Sequence, residues 1–322
     1  MVLRRGRIVA SAVRGRRIAA RPDQVTIHDP WHVGSCTKAM TATLIARLQA
    51  HGSVDIGVAL GDVLPGMAMH PAFAAMPLRE VLRHEAGIRR DPHWSVFARL
   101  RATRATLLEQ RRHLAALALR ERPLPGAGYS NLGYIVLGAV IEAVTGRTWE
   151  DAIRHEVFDP LGMRSAGFGA PPLPAPVGHV MQGRRWRARP PGPWADNPPV
   201  HGPAGRVHLP LVDWARFAAV HLAAGPPGYL PVHLLRIAHI PGRAGYAAGW
   251  GASLRPDGTT LLRHTGSNTM WFADIRLVPR TGIGIAIVCN AFSSDVRNRV
   301  GLLADALLAE AEGREGERST PG

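Results

Sequence analysis

The sequence is poor in lysine, cysteine and long apolar runs, and each shortage excludes a class of protein. Two cysteines in 322 residues are too few for a disulfide framework. The longest apolar runs, at residues 134–144 and 283–289, fall short of the roughly 18 residues that a membrane-spanning helix needs. No Cys or His motif has zinc-site spacing, and no HExxH motif occurs. We therefore expect no metal, no cofactor and no membrane span.

The composition is that of a globular chain with a basic surface. Apolar residues make up 46% of the chain, enough for a sizeable core. Basic residues number 39 against 24 acidic ones, for a net charge of +15, and the first 21 residues hold seven arginines. One hypothesis is therefore a protein that binds nucleic acid or an anionic surface. Because the other arginines are scattered and no nucleic-acid motif is present, we expect no nucleic-acid partner.

The start of the chain, MVLRRGR, is similar to the basic region of a signal peptide. The apolar run that follows it stops at Arg14, too early for a usable hydrophobic region. We expect no cleaved signal and a cytoplasmic location, whereas a true start upstream would favour a periplasmic or secreted protein. The oligomeric state does not follow from the sequence.

The 39 basic residues include a single lysine, Lys38. A genome rich in G and C encodes arginine where others encode lysine, which accounts for most of the imbalance. Arginine replaces lysine as a surface cation, but it keeps its proton at any working pH and cannot act as a base. Lys38 is therefore a candidate for chemistry, with a leftover surface residue as the alternative.

The hydrophobic pattern divides the chain into a mostly helical middle and a strand-rich end. A helical period predicts helices over 37–50, 78–84, 95–119, 131–145, 148–158 and 210–223. A period of two then predicts strands over 246–253, 259–264, 269–278 and 283–290, before a last helix at 296–311. We also predict a hairpin of strands 7–13 and 16–20 around Arg14-Gly15. Residues 169–210 hold 11 of the 27 prolines and predict a long loop, either a functional wall or a linker.

Lys38 lies three residues after Ser35, at the start of the first strong helix. Positions i and i+3 of a helix share one face, within hydrogen-bonding reach. A serine hydroxyl becomes a strong nucleophile when a base takes its proton, and a lysine is such a base when burial or a nearby cation lowers its pKa. Free N–H groups at the helix N-terminus also favour an oxyanion. Cys36 raises the alternative of a cysteine hydrolase, but the spacing directs it elsewhere and we interpret it as a small buried residue.

Two further motifs follow in order. Tyr129-Ser130-Asn131 lies in a glycine-rich turn before a helix, and His264-Thr265-Gly266 ends a predicted strand. In this order S-x-x-K, Y-x-N and H-T-G resemble the motifs of the penicillin-recognising serine hydrolases. The similarity is strongest to the branch with class C β-lactamases, D-aminopeptidase-like and penicillin-binding-protein-4-like enzymes and family VIII carboxylesterases. It covers residues 31–66, 82–87, 129–162, 203–222 and 250–290.

The resemblance implies an α+β fold of the β-lactamase/transpeptidase type. Both termini would form an antiparallel sheet flanked by helices, with a mostly helical subdomain inserted. The expected boundaries are 1–38 and 240–322 for the sheet subdomain and 39–239 for the helical one, with the Pro-rich loop at 169–210. Relatives usually carry a helix and a first strand before the nucleophile, so the outer layer of the sheet is expected to be incomplete here.

The resemblance also assigns roles. Ser35 would be acylated, Lys38 and Tyr129 would together act as the general base, and Asn131 would orient Lys38 and the substrate. Beside an ammonium group the phenolate of Tyr129 is favoured, so it could carry a proton near neutral pH. The alternatives are a buried turn hydroxyl for Tyr129 and a helix N-cap for Asn131.

The far wall and the oxyanion site are assigned in the same way. His264 and Gly266 would line the far wall of the substrate pocket, and the N–H groups of Ser35 and Ser267 would form the oxyanion hole. The alternative for His264 is a residue that is simply packed at the end of the predicted strand. We expect Trp186 and Trp194 of the Pro-rich loop to contribute to the pocket wall.

One departure from the family pattern bears on the substrate. The triplet is His-Thr-Gly instead of Lys-Thr-Gly, so a fixed cation for a carboxylate is replaced by a group mostly neutral at pH 7. We therefore expect a serine hydrolase for small short-chain esters. β-Lactamase activity, or peptidase and amidase activity on D-amino-acid substrates, is the alternative at the same site.

Overall fold

A computed structural model describes residues 1–192 and 194–318. In this part of the chain, a six-stranded antiparallel sheet of order β2-β1-β11-β10-β9-β8 has helices on both faces. The strands are β1 (Val2–Arg4), β2 (Arg7–Ala10), β3 (Trp31–His32), β4 (Gly167–Phe168), β5 (Gly178–Gln182), β6 (Arg185–Arg189), β7 (Val207–Leu209), β8 (Gly251–Leu254), β9 (Thr260–Ser267), β10 (Phe272–Val278) and β11 (Ile283–Cys289). The expected α+β fold, with N- and C-terminal strands in one sheet, is confirmed.

The helices mostly lie between the N-terminal and C-terminal strands. They are α1 (Thr37–Ala50), α2 (Leu60–Val63), α3 (Pro71–Ala74), α4 (Leu78–Leu82), α5 (Trp94–Ala102), α6 (Leu107–Arg120), α7 (Asn131–Thr145), α8 (Trp149–Ile153), α9 (Gly202–Gly205), α10 (Leu211–His221), α11 (Val232–His239) and α12 (Ser294–Arg318). None of the helices in the described residues is long and apolar enough to cross a membrane.

The sheet is covered on both faces, and for this reason every residue of β10 is buried. On one face α12 contributes Ala304 and Leu308 to a small cluster with Val278, Ile283 and Ile285. On the other face Ile275 and neighbouring side chains join the main core with the inserted helices. Burial of this apolar surface contributes about 25 cal/mol per Å² and stabilises the packing of the sheet against α12 on one face and against the inserted helices on the other.

The N-terminal hairpin differs from the predicted one. Arg5 and Gly6 connect β1 to β2 with φ of 46° and 75°, and positive φ at both positions is the requirement of a two-residue type I′ turn. The first part of the predicted strand at 7–13 is present as β2, but the predicted turn at Arg14-Gly15 and the predicted strand at 16–20 are wrong, since Arg16 forms only an isolated bridge with Gln24. First strands do precede the nucleophile, and β1 pairs with β11 in the middle of the sheet.

Helices α1 and α7 form the centre of the inserted block, and their predicted bounds are confirmed. Both helices are buried nearly all round, as expected of helices without a polar face. The predicted helix at 95–119 is instead two helices, α5 and α6. Thr106 begins α6 with a capping box, in which its side chain accepts from Glu109 N and the Glu109 side chain accepts from Thr106 N.

The Pro-rich segment at 169–210 is more ordered than a long loop. It contains the β5–β6 hairpin and α9, and it ends in β7, which pairs with both β3 and β4. Because β3 lies just before Ser35, this pairing fixes the end of the segment against the predicted nucleophile.

Candidate active site

Ser35 lies in a 3₁₀ turn, Gly34–Cys36, that leads directly into α1. The turn places the Ser35 hydroxyl 3.2 Å from Lys38 Nζ, and the predicted proximity of these two groups is present. Cys36 is buried and its Sγ donates to the His264 carbonyl oxygen at 3.6 Å. Burial raises the pKa of the Cys36 thiol well above its usual value, so the thiolate that a cysteine hydrolase needs is strongly disfavoured.

Lys38 is completely buried, and three oxygens surround its amine. Nζ lies 2.6 Å from the Ala204 carbonyl oxygen, 2.7 Å from Asn131 Oδ1 and 3.2 Å from Ser35 Oγ. Burial lowers the pKa of Lys38 well below its usual value, the opposite of what a surface lysine shows. In its neutral form the amine can accept the proton of Ser35.

The Tyr-x-Asn segment comes from the turn before α7. Gly128 N donates to the His84 carbonyl oxygen at 2.9 Å and Ser130 N donates to His84 Nδ1 at 3.1 Å. These two hydrogen bonds hold the turn against His84. The N-cap of α7 is Ser130, whose Oγ accepts from Gly133 N. Asn131 is therefore not the cap, and its side chain is available to Lys38.

Tyr129 is close to Ser35 and Lys38, but the expectation of a favoured phenolate is wrong. Lys38 Nζ lies 4.7 Å from the centroid of the Tyr129 ring. Burial raises the pKa of Tyr129 well above its usual value, although its hydrogen bond with Ser35 acts in the other direction. Tyr129 is thus a neutral hydroxyl at pH 7, which suits a proton relay. Lys38, whose pKa is lowered, is the group suited to act as a general base.

His264 lies within β9, which continues to Ser267 beyond the predicted end at 264, and both nitrogens of its neutral ring are hydrogen-bonded. Its Nδ1 donates to the Thr265 carbonyl oxygen at 2.7 Å, so its Nε2 accepts from the Tyr246 hydroxyl at 2.9 Å. Burial, with a smaller contribution from Lys38, lowers the pKa of His264 to about 3. His264 does line the cavity at Ser35, but both ring nitrogens are occupied by protein groups.

The predicted oxyanion groups lie on two backbone segments in direct contact. A Cβ on Gly34 would stand 2.4 Å from Ser267 N, and a Cβ on Gly266 would stand 2.0 Å from the Val33 carbonyl oxygen and 2.8 Å from Ser35 N. Only glycine permits this approach. The N–H groups of Ser35 and Ser267 therefore come from neighbouring segments, as an oxyanion hole requires.

A cavity of about 740 Å³ opens in front of Ser35. Its wall includes Tyr129, the 264–267 strand end and two phenylalanines, Phe272 and Phe292, whose rings are 5.7 Å apart. Four arginines also line it: Arg90, Arg263, Arg276 and Arg297.

The predicted contribution of two tryptophans to this wall is not found. Trp194 is 77% exposed and lines a different cavity of about 600 Å³, while Trp186 lies on β6 opposite Met181. Neither lines the cavity at Ser35. The Pro-rich segment contributes to the site through the Ala204 carbonyl oxygen instead, which accepts a hydrogen bond from the Lys38 amine.

Three functional contacts were missed at the sequence level: the Ala204 carbonyl, Tyr246 and Asp91, which accepts from Asn131 Nδ2 at 2.9 Å. A carbonyl oxygen leaves no sequence signal. Tyr246 leaves only the weak signal that the chain has four tyrosines. The structure brings three of them, Tyr129, Tyr134 and Tyr246, around the His84 ring at centroid distances of 4.4–5.2 Å.

The site consists of a serine beside a buried lysine, a tyrosine and an asparagine around them, and two backbone segments whose contact requires glycine. This arrangement is that of a serine hydrolase. Comparison with known proteins agrees with this class. The family model "Beta-lactamase" matches residues 1–310, and the chain belongs to this family of β-lactamases and penicillin-binding proteins.

The relatives differ in their described activities. The chain is 29% identical to "Penicillin-binding protein 4" of Amycolatopsis lactamdurans, over 92% of this chain and 82% of that protein. It is 33% identical to "Esterase/beta-lactamase LipL" of Mycobacterium tuberculosis, over 45% of this chain and 32% of that protein. Among solved structures, the class C β-lactamase of Rhodobacter sphaeroides superposes with a TM-score of 0.69 at 18% identity, covering 89% of this chain and 88% of that one.

Proposed function

We propose that this protein hydrolyses small short-chain esters through an acyl-enzyme on Ser35. The observation that carries the proposal is the position of the Lys38 amine, 3.2 Å from Ser35 Oγ and shielded from water. Lys38 takes the proton of Ser35 as the hydroxyl attacks the ester carbonyl. Tyr129 relays a proton to the leaving alcohol, and water then releases the acid by the reverse sequence.

The cavity favours neutral esters at its far wall. His264 is uncharged at neutral pH and its nitrogens are engaged, so the triplet offers no cation for a carboxylate. Phe272 and Phe292 provide apolar surface for a small acyl or alcohol group. The relative named "Esterase/beta-lactamase LipL" supports this proposal by the first part of its name.

A second candidate is the hydrolysis of amides or peptides that carry a carboxylate, including β-lactams. The specific observation in its favour is that Arg263 and Arg297 line the same cavity and are exposed. A guanidinium binds a carboxylate through two parallel N–H groups, and it could replace the cation that the triplet lacks.

Labelling with a fluorophosphonate probe tests the proposal. We expect one covalent adduct on Ser35, identified by mass spectrometry, and none in Ser35→Ala. Cys36→Ala is the matched control, since it changes the adjacent side chain and is expected to label normally. Full labelling or full ester turnover in Ser35→Ala would refute the proposal.

A substrate panel separates the two candidates. It contains p-nitrophenyl acetate, butyrate and octanoate, a D-alanyl p-nitroanilide, a D-Ala-D-Ala peptide and one cephalosporin. An esterase turns over acetate and butyrate fastest, and Arg263→Gln leaves these rates unchanged. If the carboxylate substrates are preferred instead, Arg263→Gln and Arg297→Gln raise KM for those substrates only.

A further inference from the structure

A chain of hydrogen bonds links an acidic residue at the surface to the buried amine. Asp91 Oδ1 accepts from Asn131 Nδ2 at 2.9 Å, and Asn131 Oδ1 accepts from Lys38 Nζ at 2.7 Å. Ser35 Oγ lies 3.2 Å from the same amine. Asp91 itself touches neither Ser35 nor Lys38 and is 37% exposed, in the segment between α4 and α5.

The orientation of the Asn131 amide decides what the amine can do. A neutral amine has two N–H groups and one lone pair. Asn131 Oδ1 and the Ala204 carbonyl oxygen can only accept, so they take the two N–H groups and the lone pair is left for the Ser35 hydroxyl. A reversed amide would direct its NH₂ at Lys38 and compete with Ser35 for that lone pair.

Asp91 is the contact that selects between these orientations. A carboxylate accepts hydrogen bonds and does not donate them, so it pairs with the NH₂ side of the amide and leaves the oxygen for Lys38. The backbone of the same segment holds the register, since Asn131 N and Leu132 N both donate to the Arg90 carbonyl oxygen at 2.9 and 3.0 Å.

We propose that Asp91 is a positioning residue, which fixes the Asn131 amide with its oxygen toward Lys38 and places a negative charge two hydrogen bonds from the amine. This role rests on the proposed function, in which Lys38 is the base for Ser35.

The charges near Lys38 set the sign of the expected pH effect. Burial is the largest influence and lowers the pKa of Lys38, the charge of Asp91 opposes this lowering and the charge of Arg90 adds to it. Cys36 would oppose it only as a thiolate, which its burial disfavours. Three histidines interact electrostatically with Lys38, but burial lowers their pKa values to about 2 or 3, so they are neutral: His84, His201 and His264. Removing the charge of Asp91 therefore makes Lys38 lose its proton at a lower pH.

The single lysine permits a direct test. Protein labelled with lysine carrying ¹³C at Cε gives one lysine resonance, and its shift against pH reports the protonation of Lys38 without any substrate. The variants are Asp91→Asn, which keeps an oxygen acceptor for Asn131 but no charge, and Asp91→Ala, which keeps neither. Glu121→Gln is the matched control, because Glu121 is an exposed acid paired with Arg89 at 2.8 Å near the same turn.

The two variants are expected to separate charge from orientation. Both should move the Lys38 titration to lower pH, whereas Glu121→Gln should leave it in place. The plateau rate on p-nitrophenyl acetate should stay within about twofold in Asp91→Asn and fall at least about tenfold in Asp91→Ala, the scale of a misplaced catalytic group. Asp91→Ser provides a second variant without the carboxylate, expected to behave like Asp91→Ala.

Two results would overturn the role of Asp91: an unchanged Lys38 titration in Asp91→Asn and Asp91→Ala, or a wild-type plateau rate in both Asp91→Ala and Asp91→Ser. Wild-type protein that resists labelling at Ser35 refutes the proposed function itself. Labelled wild type with variants that behave like it refutes only the positioning role.

Discussion

Replacing Gly34 by alanine tests whether the oxyanion site depends on contact between two backbone segments. A Cβ at Gly34 would lie 2.4 Å from Ser267 N and 2.8 Å from the Gly266 carbonyl carbon, closer than Cβ atoms approach in proteins. Backbone atoms cannot rotate away as a side chain can. The turn that carries Ser35 must therefore move away from β9, and the N–H groups of Ser35 and Ser267 move apart.

The expected size of the effect follows from these contacts. Loss of one oxyanion donor lowers kcat by about 10²–10³-fold, and we expect at least the lower figure for Gly34→Ala. The φ of +50° at Gly34 adds a left-handed strain of about 1–2 kcal/mol for any L residue. The rate is measured with p-nitrophenyl acetate, and the free energy of unfolding by urea titration.

Gly52→Ala separates backbone strain from the contact. Gly52 follows α1 with a φ of +72°, and a Cβ there would meet nothing within 4 Å. This variant should lose about 1–2 kcal/mol of stability and keep its rate. A folded Gly34→Ala protein with the wild-type rate would show that the contact with β9 does not build the oxyanion site.

Further predictions concern the proposed base Lys38, the Cys36 thiol and the histidine of β9. Lys38→Arg should lower ester turnover at least about 10²-fold, because a guanidinium keeps its proton; wild-type turnover would show that Lys38 is not the base. Iodoacetamide at pH 8 should leave Cys36 unmodified and the rate unchanged, as read by peptide mass spectrometry, whereas modified Cys36 would contradict its burial. Tyr246→Phe should lower the free energy of unfolding by about 1–3 kcal/mol, because the buried His264 Nε2 loses the Tyr246 hydroxyl as its hydrogen-bond donor; an unchanged urea midpoint would contradict that hydrogen bond.

Local patterns predicted the elements that carry the chemistry. The bounds of α1 and α7 follow from helical periodicity, and the spacing of Ser35 and Lys38 follows from helix geometry alone. The lone lysine singled out Lys38, which the structure places beside Ser35. The subdomain boundaries, the cytoplasmic location and the catalytic roles stay predictions.

The errors arose where tertiary contacts decide the outcome. Tyr129 was expected to favour its phenolate beside a cation, but the burial that the fold imposes raises its pKa instead. Asp91 and Asn131 are 40 residues apart, and no local pattern indicates that they meet. The first hairpin was misplaced because the turn was assigned to Arg14-Gly15, whereas Arg5 and Gly6 have the positive φ angles of the turn.

The Pro-rich segment has a consequence for how this enzyme could diversify. Thr41 Oγ1 donates to the Pro203 carbonyl oxygen at 2.8 Å, and the next residue, Ala204, accepts from Lys38. Farther back, Asp196 accepts from Asn268 Nδ2 at 2.9 Å, next to Ser267. Grafting a different segment here would therefore disturb the hydrogen bonds of the Lys38 amine as well as the shape of the site. Exchanging the exposed cavity arginines Arg263 and Arg297 changes the cavity wall and leaves the hydrogen bonds of the Lys38 amine in place, so it is an easier route to new substrate preferences.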